Sequence, residues 1–155
     1  MLLNLFQDAA GPSSYVDRQF KGTSDEYKQK IMETKTVYVG NVSFYSSEEQ
    51  IYAYFNQVGP VVKVIMGLDR IKQTPCGFCF VEFGDRQTAE RAVRYLNKLK
   101  LDSQVIRVDL DYGFVEGRQL GRGRSGGQVR DEKRLDFDGN RGGYAEQTKR
   151  PKHNY

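Results

Sequence analysis

The sequence predicts an α+β domain in which a four-stranded antiparallel sheet carries two helices on one face, in the order βαββαβ. Three observations predict it. Cys76 to Phe83 sets Phe78 and Phe80 against Cys79, Val81 and Phe83, the period-two alternation of a strand. Val37 to Val42 repeats that alternation, with Tyr38 facing away from Val37 and Val39. Between and after these two stretches, apolar residues recur at helical spacing instead.

Residues 1–34 are polar and irregular, and a short helix fits Asp25 to Met32 within them. Val37 to Val42 is the first strand. Ser46-Ser47-Glu48-Glu49 offers a capping box, and Ile51, Tyr54, Phe55 and Val58 follow as a helical stripe that Gly59-Pro60 ends. Val61 to Met66 reads as a second strand and Gly67 to Pro75 as a polar loop into the third. Asp85 caps a second helix with the stripe Ala89, Ala92, Val93 and Leu96. Val105 to Val108 closes the pattern as the fourth strand. The domain therefore spans residues 35–113 in a ferredoxin-like arrangement. Both helices cover one face, and Tyr38, Phe78 and Phe80 are expected on an open opposite face.

Charge divides the chain. Residues 1–113 hold 14 Lys or Arg against 14 Asp or Glu; residues 114–155 hold 10 against 6, with 8 of the 16 glycines. A neutral domain with a basic, Gly-rich tail suits an anionic partner, without the strongly basic face needed to wrap long stretches of phosphate backbone. Residues 114–155 bury too little apolar surface to fold alone and are expected to be largely disordered without ligand or partner; within them, 115–135 are the part expected to order. No membrane span is read, and the apolar run Met1 to Phe6 is too short for a signal peptide. With two cysteines and no secretory signal, a reducing compartment is expected.

Several motifs invite other chemistry. Gly121-Arg122-Gly123-Arg124-Ser125-Gly126 matches a dinucleotide-loop pattern but lacks the flanking strand and apolar helix. Cys76 and Cys79 have C-x-x-C spacing, yet residues three apart on a strand face opposite sides and cannot chelate or bridge. Asn41-Val42-Ser43 is a glycosylation sequon without a route to the secretory pathway. The one histidine is His153, and no nucleophile–base pair or metal cluster stands out, so no catalytic residue, cofactor or metal is expected.

Two strands that present aromatic rings on one face form a stacking platform for nucleic-acid bases, and the two stretches fit the octamer and hexamer of an RNA-recognition motif. The last strand ends Arg107-Val108-Asp109-Leu110-Asp111, placing Asp109 and Asp111 on one side beside the platform. Carboxylates repel phosphate, so they need a reason. Solubilising a surface is one; the other is the edge of guanine, whose N1 and N2 donors a carboxylate accepts in a charge-assisted pair. A base methylated at N7 is also cationic, and stacked rings attract it by up to ~2 kcal/mol when desolvated. Tyrosine, acidic acceptors and nearby arginines together describe a site for a methylated guanine cap. A generic single-strand binder gains nothing from Asp109 and Asp111, and a third alternative is a protein-interaction module whose sheet a partner covers.

From Tyr15 to Tyr144 the chain resembles the small, RNA-recognition-motif subunits of nuclear cap-binding complexes. The resemblance rests on Tyr15-x-Asp17-x-x-Phe20-Lys21-Gly22, Tyr38 to Tyr45, Ile65 to Asp69, Gly77 to Glu82, and above all the long Gly-Arg run Gly117 to Glu132. It implies that Tyr15 and Tyr38 sandwich 7-methylguanine, that Asp109 and Asp111 read its edge with Arg107 beside them, and that Arg118 and Arg122 meet the triphosphate. Gln128, Val129 and Arg130 would line the same pocket, and Phe78 and Phe80 would support its floor or stack on the next nucleotide. The partners implied are capped RNA and a large helical-repeat subunit that helps order the extensions. The location implied is the nucleus, with shuttling to the cytoplasm; Lys149-Arg150-Pro151-Lys152 is an import-like cluster. The family usually carries an aromatic where this chain has Leu110, and another where it has Lys133, so cap affinity is expected to rest on Tyr15 and Tyr38.

Overall fold

The computed structural model describes Asp17 and residues 19–145. Tyr15, His153 and the Lys149–Lys152 cluster lie outside the described residues. Helix α1 (Ser24–Glu33) precedes strand β1 (Thr36–Gly40), helix α2 (Glu48–Phe55), β2 (Val61–Leu68), β3 (Pro75–Phe83), helix α3 (Arg86–Leu96), the short strands β4 (Lys100–Leu101) and β5 (Gln104–Val105), and β6 (Arg107–Asp111). A one-turn helix α4 (Val129–Lys133) and a 3-10 turn (Gly139–Arg141) follow. The four long strands form one antiparallel sheet in the order β2-β3-β1-β6, the expected βαββαβ topology with a hairpin inserted before the last strand.

Local chemistry starts the two helices that cover the sheet. Ser47 caps α2, accepting from the Gln50 N–H while the Gln50 side chain accepts from Ser47 N–H; the box falls one residue later than Ser46 to Glu49. Asp85 caps α3 through the Thr88 N–H and hydroxyl. Alternation then sorts the strands: Val37, Val39, Cys79, Val81, Phe83 and Val108 join Ile51, Phe55, Ala89, Ala92 and Val93 in the main core under the helices. Each fully buried large apolar side chain there contributes on the order of 2 kcal/mol.

Three expectations change. The first strand ends at Gly40 rather than Val42, because Asn41 turns into the left-handed region (φ 57°) and its amide donates to Val105 O. The fourth strand is Arg107–Asp111 rather than Val105–Val108: Asp102 and Ser103, both at positive φ, fold Val105 back into a hairpin against Lys100. The face expected to be open is covered. Phe78 is 6% and Phe80 2% exposed, in a second apolar cluster with Cys76, flanked by Tyr38, Ile65 and Phe114.

The cover is the C-terminal extension. Phe114 packs on Phe80 with ring centroids 5.6 Å apart. Leu68 N–H donates to Gln119 O, Gly121 N–H returns to Leu68 O, and Arg70 N–H donates to Gly126 O. The strands therefore continue into the extension by main-chain pairing. At Gly121 a Cβ would lie 2.3 Å from Gly126 O, so only glycine allows this turn to close.

The N-terminal extension docks through charge. Asp17, 2% exposed, accepts from Arg118 (3.0 Å), from both Arg122 terminal nitrogens (2.8 and 3.1 Å), from the Tyr112 hydroxyl (3.2 Å) and from Gln19 N–H (2.9 Å). Phe20, Tyr27 and Tyr112 pack their rings alongside, at 4.8 to 5.6 Å. Burial alone would raise the Asp17 carboxyl; the Arg122 and Gln19 hydrogen bonds and the two guanidinium charges outweigh it and hold the group well below the usual carboxylate range.

Two predictions follow from these contacts. Asp85→Ala removes both cap bonds of α3 and lowers unfolding stability by about 1 kcal/mol in urea denaturation. Asp17→Asn leaves two arginines short of a partner and costs about 3 kcal/mol at neutral pH. Because the folded carboxyl titrates below its unfolded value of 3.8, the native chain keeps this contribution above that pH and loses it as acid protonates Asp17. Stability-versus-pH curves of the two chains should therefore converge on acidification.

Candidate nucleic-acid interface

Register decides which side chains share the covered face. Ile65 lies opposite Phe80, Phe80 opposite Tyr38, and Tyr38 opposite Asp109, so one cross-strand row runs over β2, β3, β1 and β6. Between this row and the extension lies a cleft of about 980 Å³, at the upper end of the range typical of small-molecule sites. Tyr38, Phe78, Phe80, Arg107, Asp109, Leu110, Asp111, Arg118, Arg122, Gln128, Val129 and Arg130 all line it. The structure thus brings together every sequence-predicted site residue except Tyr15, which lies outside the described residues.

Tyr38 stands at the centre. Its ring is nearly parallel to Phe78 (30°, centroids 5.8 Å) and edge-on to Phe80 (64°, 5.8 Å), so both neighbours fix its plane. Its hydroxyl donates to Gln128 Oε1 at 3.1 Å, and Gln128 Nε2 donates to Cys76 O at 3.0 Å. The glutamine thereby ties α4 to both β1 and β3.

The two acidic residues differ. Asp109 is paired with Arg107 Nε at 2.8 Å, and the Arg107 side chain is 61% exposed. An exposed pair of this kind contributes about 1 kcal/mol or less, so a ligand donor can compete for the carboxylate. Asp111 is buried and already occupied: Arg118 grips both its oxygens (2.7 and 2.8 Å) and Gly113 N–H donates at 3.0 Å. The two carboxylates therefore sit in different surroundings, Asp109 beside an exposed partner and Asp111 inside a buried one. Leu110 stands between them on the strand. It lies opposite Val37 and its side chain packs against the main core, so what it offers the cleft is main chain.

Arg118, expected at phosphate, is in this fold the hub of a buried ion cluster. It joins Asp111, Asp17 and Gly113 O, with its guanidinium 4.8 Å from the Phe80 ring and 4.0 Å from that of Tyr112. Burial works against its charge, but the two carboxylates keep its proton affinity above the ordinary arginine value. Burial likewise lifts the Tyr112 phenol to about 12. Arg122 is the more exposed partner of Asp17, and Arg130 is exposed at the start of α4. With Lys98, the cleft lining holds five cations against three carboxylates, a modest positive excess.

Asp17 and Tyr112 were missed as functional residues by sequence reading. Asp17 stood in the Tyr15-x-Asp17 motif, but only its burial between two arginines reveals its use. Cys76 falls in the aromatic cluster and Cys79 in the main core, on opposite sides of the sheet, and burial pushes the Cys76 thiol up to about 12. Among the described residues no group of three or more His, Cys, Asp or Glu could hold a metal ion, and no helix is long and apolar enough to cross a membrane.

Comparison with known proteins identifies the family. The RNA recognition motif family matches residues 37–107. Nuclear cap-binding protein subunit 2 of Ixodes scapularis is 61% identical over 132 residues, covering 85% of this chain and 87% of that protein. The Homo sapiens protein of the same name is 56% identical over 132 residues, covering 85% of each. Among solved structures, the crystal structure of RNA Binding Protein PG1 is 28% identical with a TM-score of 0.51, covering 54% of this chain and all of that one. The relatives match well beyond the sheet and helices, into the extensions that build the cleft, and the chain belongs to the nuclear cap-binding protein subunit 2 family, built on an RNA recognition motif.

Proposed function

We propose that the chain binds the 7-methylguanosine cap of RNA polymerase II transcripts as the small subunit of a nuclear cap-binding heterodimer, supporting pre-mRNA splicing, RNA export and related processing. The observation that carries this is the cross-strand pair of Tyr38 and Asp109 inside one cleft: an oriented ring beside an accessible carboxylate. The cationic base stacks on Tyr38, and Tyr15 closes the other side of the sandwich. Asp109 accepts from the guanine edge, exchanging its exposed pair with Arg107 for a charge-assisted bond, and the main chain around Leu110 supplements it. Arg107, Arg130 and the more exposed Arg122 meet the triphosphate, while Arg118 and Asp111 hold the wall rather than touch the ligand.

The large helical-repeat subunit stabilises the extensions that close the cleft, and the complex works in the nucleus with shuttling to the cytoplasm. The chain performs no catalysis of its own. A generic platform binder is disfavoured, since Phe78 and Phe80 lie under the extension instead of presenting their rings to a single strand.

Titration of the full chain with its large-subunit partner against 7-methyl-GTP and GTP tests this. Methyl-dependent binding is expected; equal affinity for the two nucleotides would overturn it. Tyr38→Ala abolishes binding. Tyr38→Phe keeps the ring and loses the Gln128 bond, about 1 kcal/mol or less than tenfold in affinity. Equal loss in both variants would argue against stacking.

A further inference from the structure

Helix α4 forms a wall of the cleft through Val129 and Arg130, yet it has little reason to exist. Five residues cannot sustain a helix in water, and none of them is buried. Its order must come from polar stitches to the rest of the chain. Gln128 reaches Cys76 and Tyr38 just before it, and Glu132 accepts from the Ser125 N–H and hydroxyl, both at 2.7 Å. The remaining stitch is the most deeply buried. Arg141, 3% exposed, grips Asp131 of α4 with Nε (2.8 Å) and Nη2 (2.6 Å). Its Nη1 donates to Val42 O (2.9 Å) and Gly77 O (3.2 Å), and the guanidinium lies 5.2 Å from the Phe44 ring.

The seat for this guanidinium is shaped. Gly77 adopts φ 94°, and a Cβ there would lie 2.4 Å from Arg141 Nη1. The octamer glycine therefore makes room for an arginine sixty-four residues later in the chain. Both carbonyls that Arg141 engages adjoin cleft-lining residues: Val42 follows Asn41, and Gly77 precedes Phe78. Arg134 braces the far side, donating to Asp131 Oδ1 (3.3 Å), Gly143 O (2.8 Å) and Arg141 O (3.2 Å).

We propose that Arg141 is a positioning residue for the cap site: a buried latch that fixes α4, and with it Gln128, Val129 and Arg130, against the sheet without touching the ligand. The assignment rests on the cap-binding function proposed above. Loss of the latch lowers the fraction of molecules whose wall is in place, and apparent affinity falls by the same factor.

The test uses the full chain in complex with its large-subunit partner, in Arg141→Lys, Asp131→Asn and the double variant. Two readouts are taken, 7-methyl-GTP affinity and amide hydrogen exchange. Each single variant should weaken binding about tenfold, and the double variant no further, because both remove one unit. Exchange should accelerate in residues 129–133 while the amides of β1 and β3 stay protected. Unchanged affinity with unchanged α4 exchange, or losses that multiply in the double variant, would overturn the latch. Where Arg141→Lys also deprotects β1 and β3, the fold itself is lost and Asp131→Asn carries the test. Absence of 7-methyl-GTP binding by the unaltered complex would sink the cap function instead, and the exchange arm would still judge the latch.

Discussion

The Arg118 guanidinium joins three segments that are distant in sequence: Asp17 of the N-terminal extension, Asp111 at the end of β6, and the start of the C-terminal extension that carries Arg118 itself. A buried ion cluster of this kind contributes little net stability compared with apolar residues of the same size, because desolvation offsets most of the attraction. Its value is orientation. A planar guanidinium held by two carboxylates and two rings has one arrangement, and any displacement strands a charge out of water. The position of Asp17, the course of the chain after Gly113 and the burial of Phe80 all depend on that arrangement.

Once the cluster is in place, the cleft takes its character from what the cluster leaves over. Asp111 is consumed internally, whereas Asp109 on the same strand keeps an exposed partner. Arg118 is consumed, whereas Arg130 is exposed. Residues of like type on one strand or one extension thus take different places, one inside the ion cluster and one nearer solvent. Burial separates them, not chemistry.

That separation explains what was legible in the sequence. Period-two alternation and two N-caps suffice for the sheet, the helices and the face on which Tyr38, Phe78 and Phe80 lie, because each is a local property of the chain. The last strand slipped because Val105 to Val108 is apolar enough to be a strand, and only the left-handed Asp102–Ser103 turn diverts its first half into a hairpin. The cover over the aromatic face was invisible for a different reason. The extension looks too polar to fold, and its order comes from ion pairs and main-chain bonds between residues as far apart as Asp17 and Arg122. Composition counts such charges as solvated. In the fold, several are cross-links, and the roles of Asp109 and Asp111 could not be told apart without them.

The course of the extension over the sheet has a topological consequence. It leaves β6, pairs with the end of β2 at Leu68, crosses to Cys76 through Gln128, and is pinned again at Val42 and Gly77. A strap fastened at both ends lifts from the sheet only if one fastening breaks. An unmodified sheet of this class accepts the middle of an RNA as readily as its tip. Here the strap lies over that face, and the rings of Phe78 and Phe80 beneath it are closed to a strand laid along the sheet.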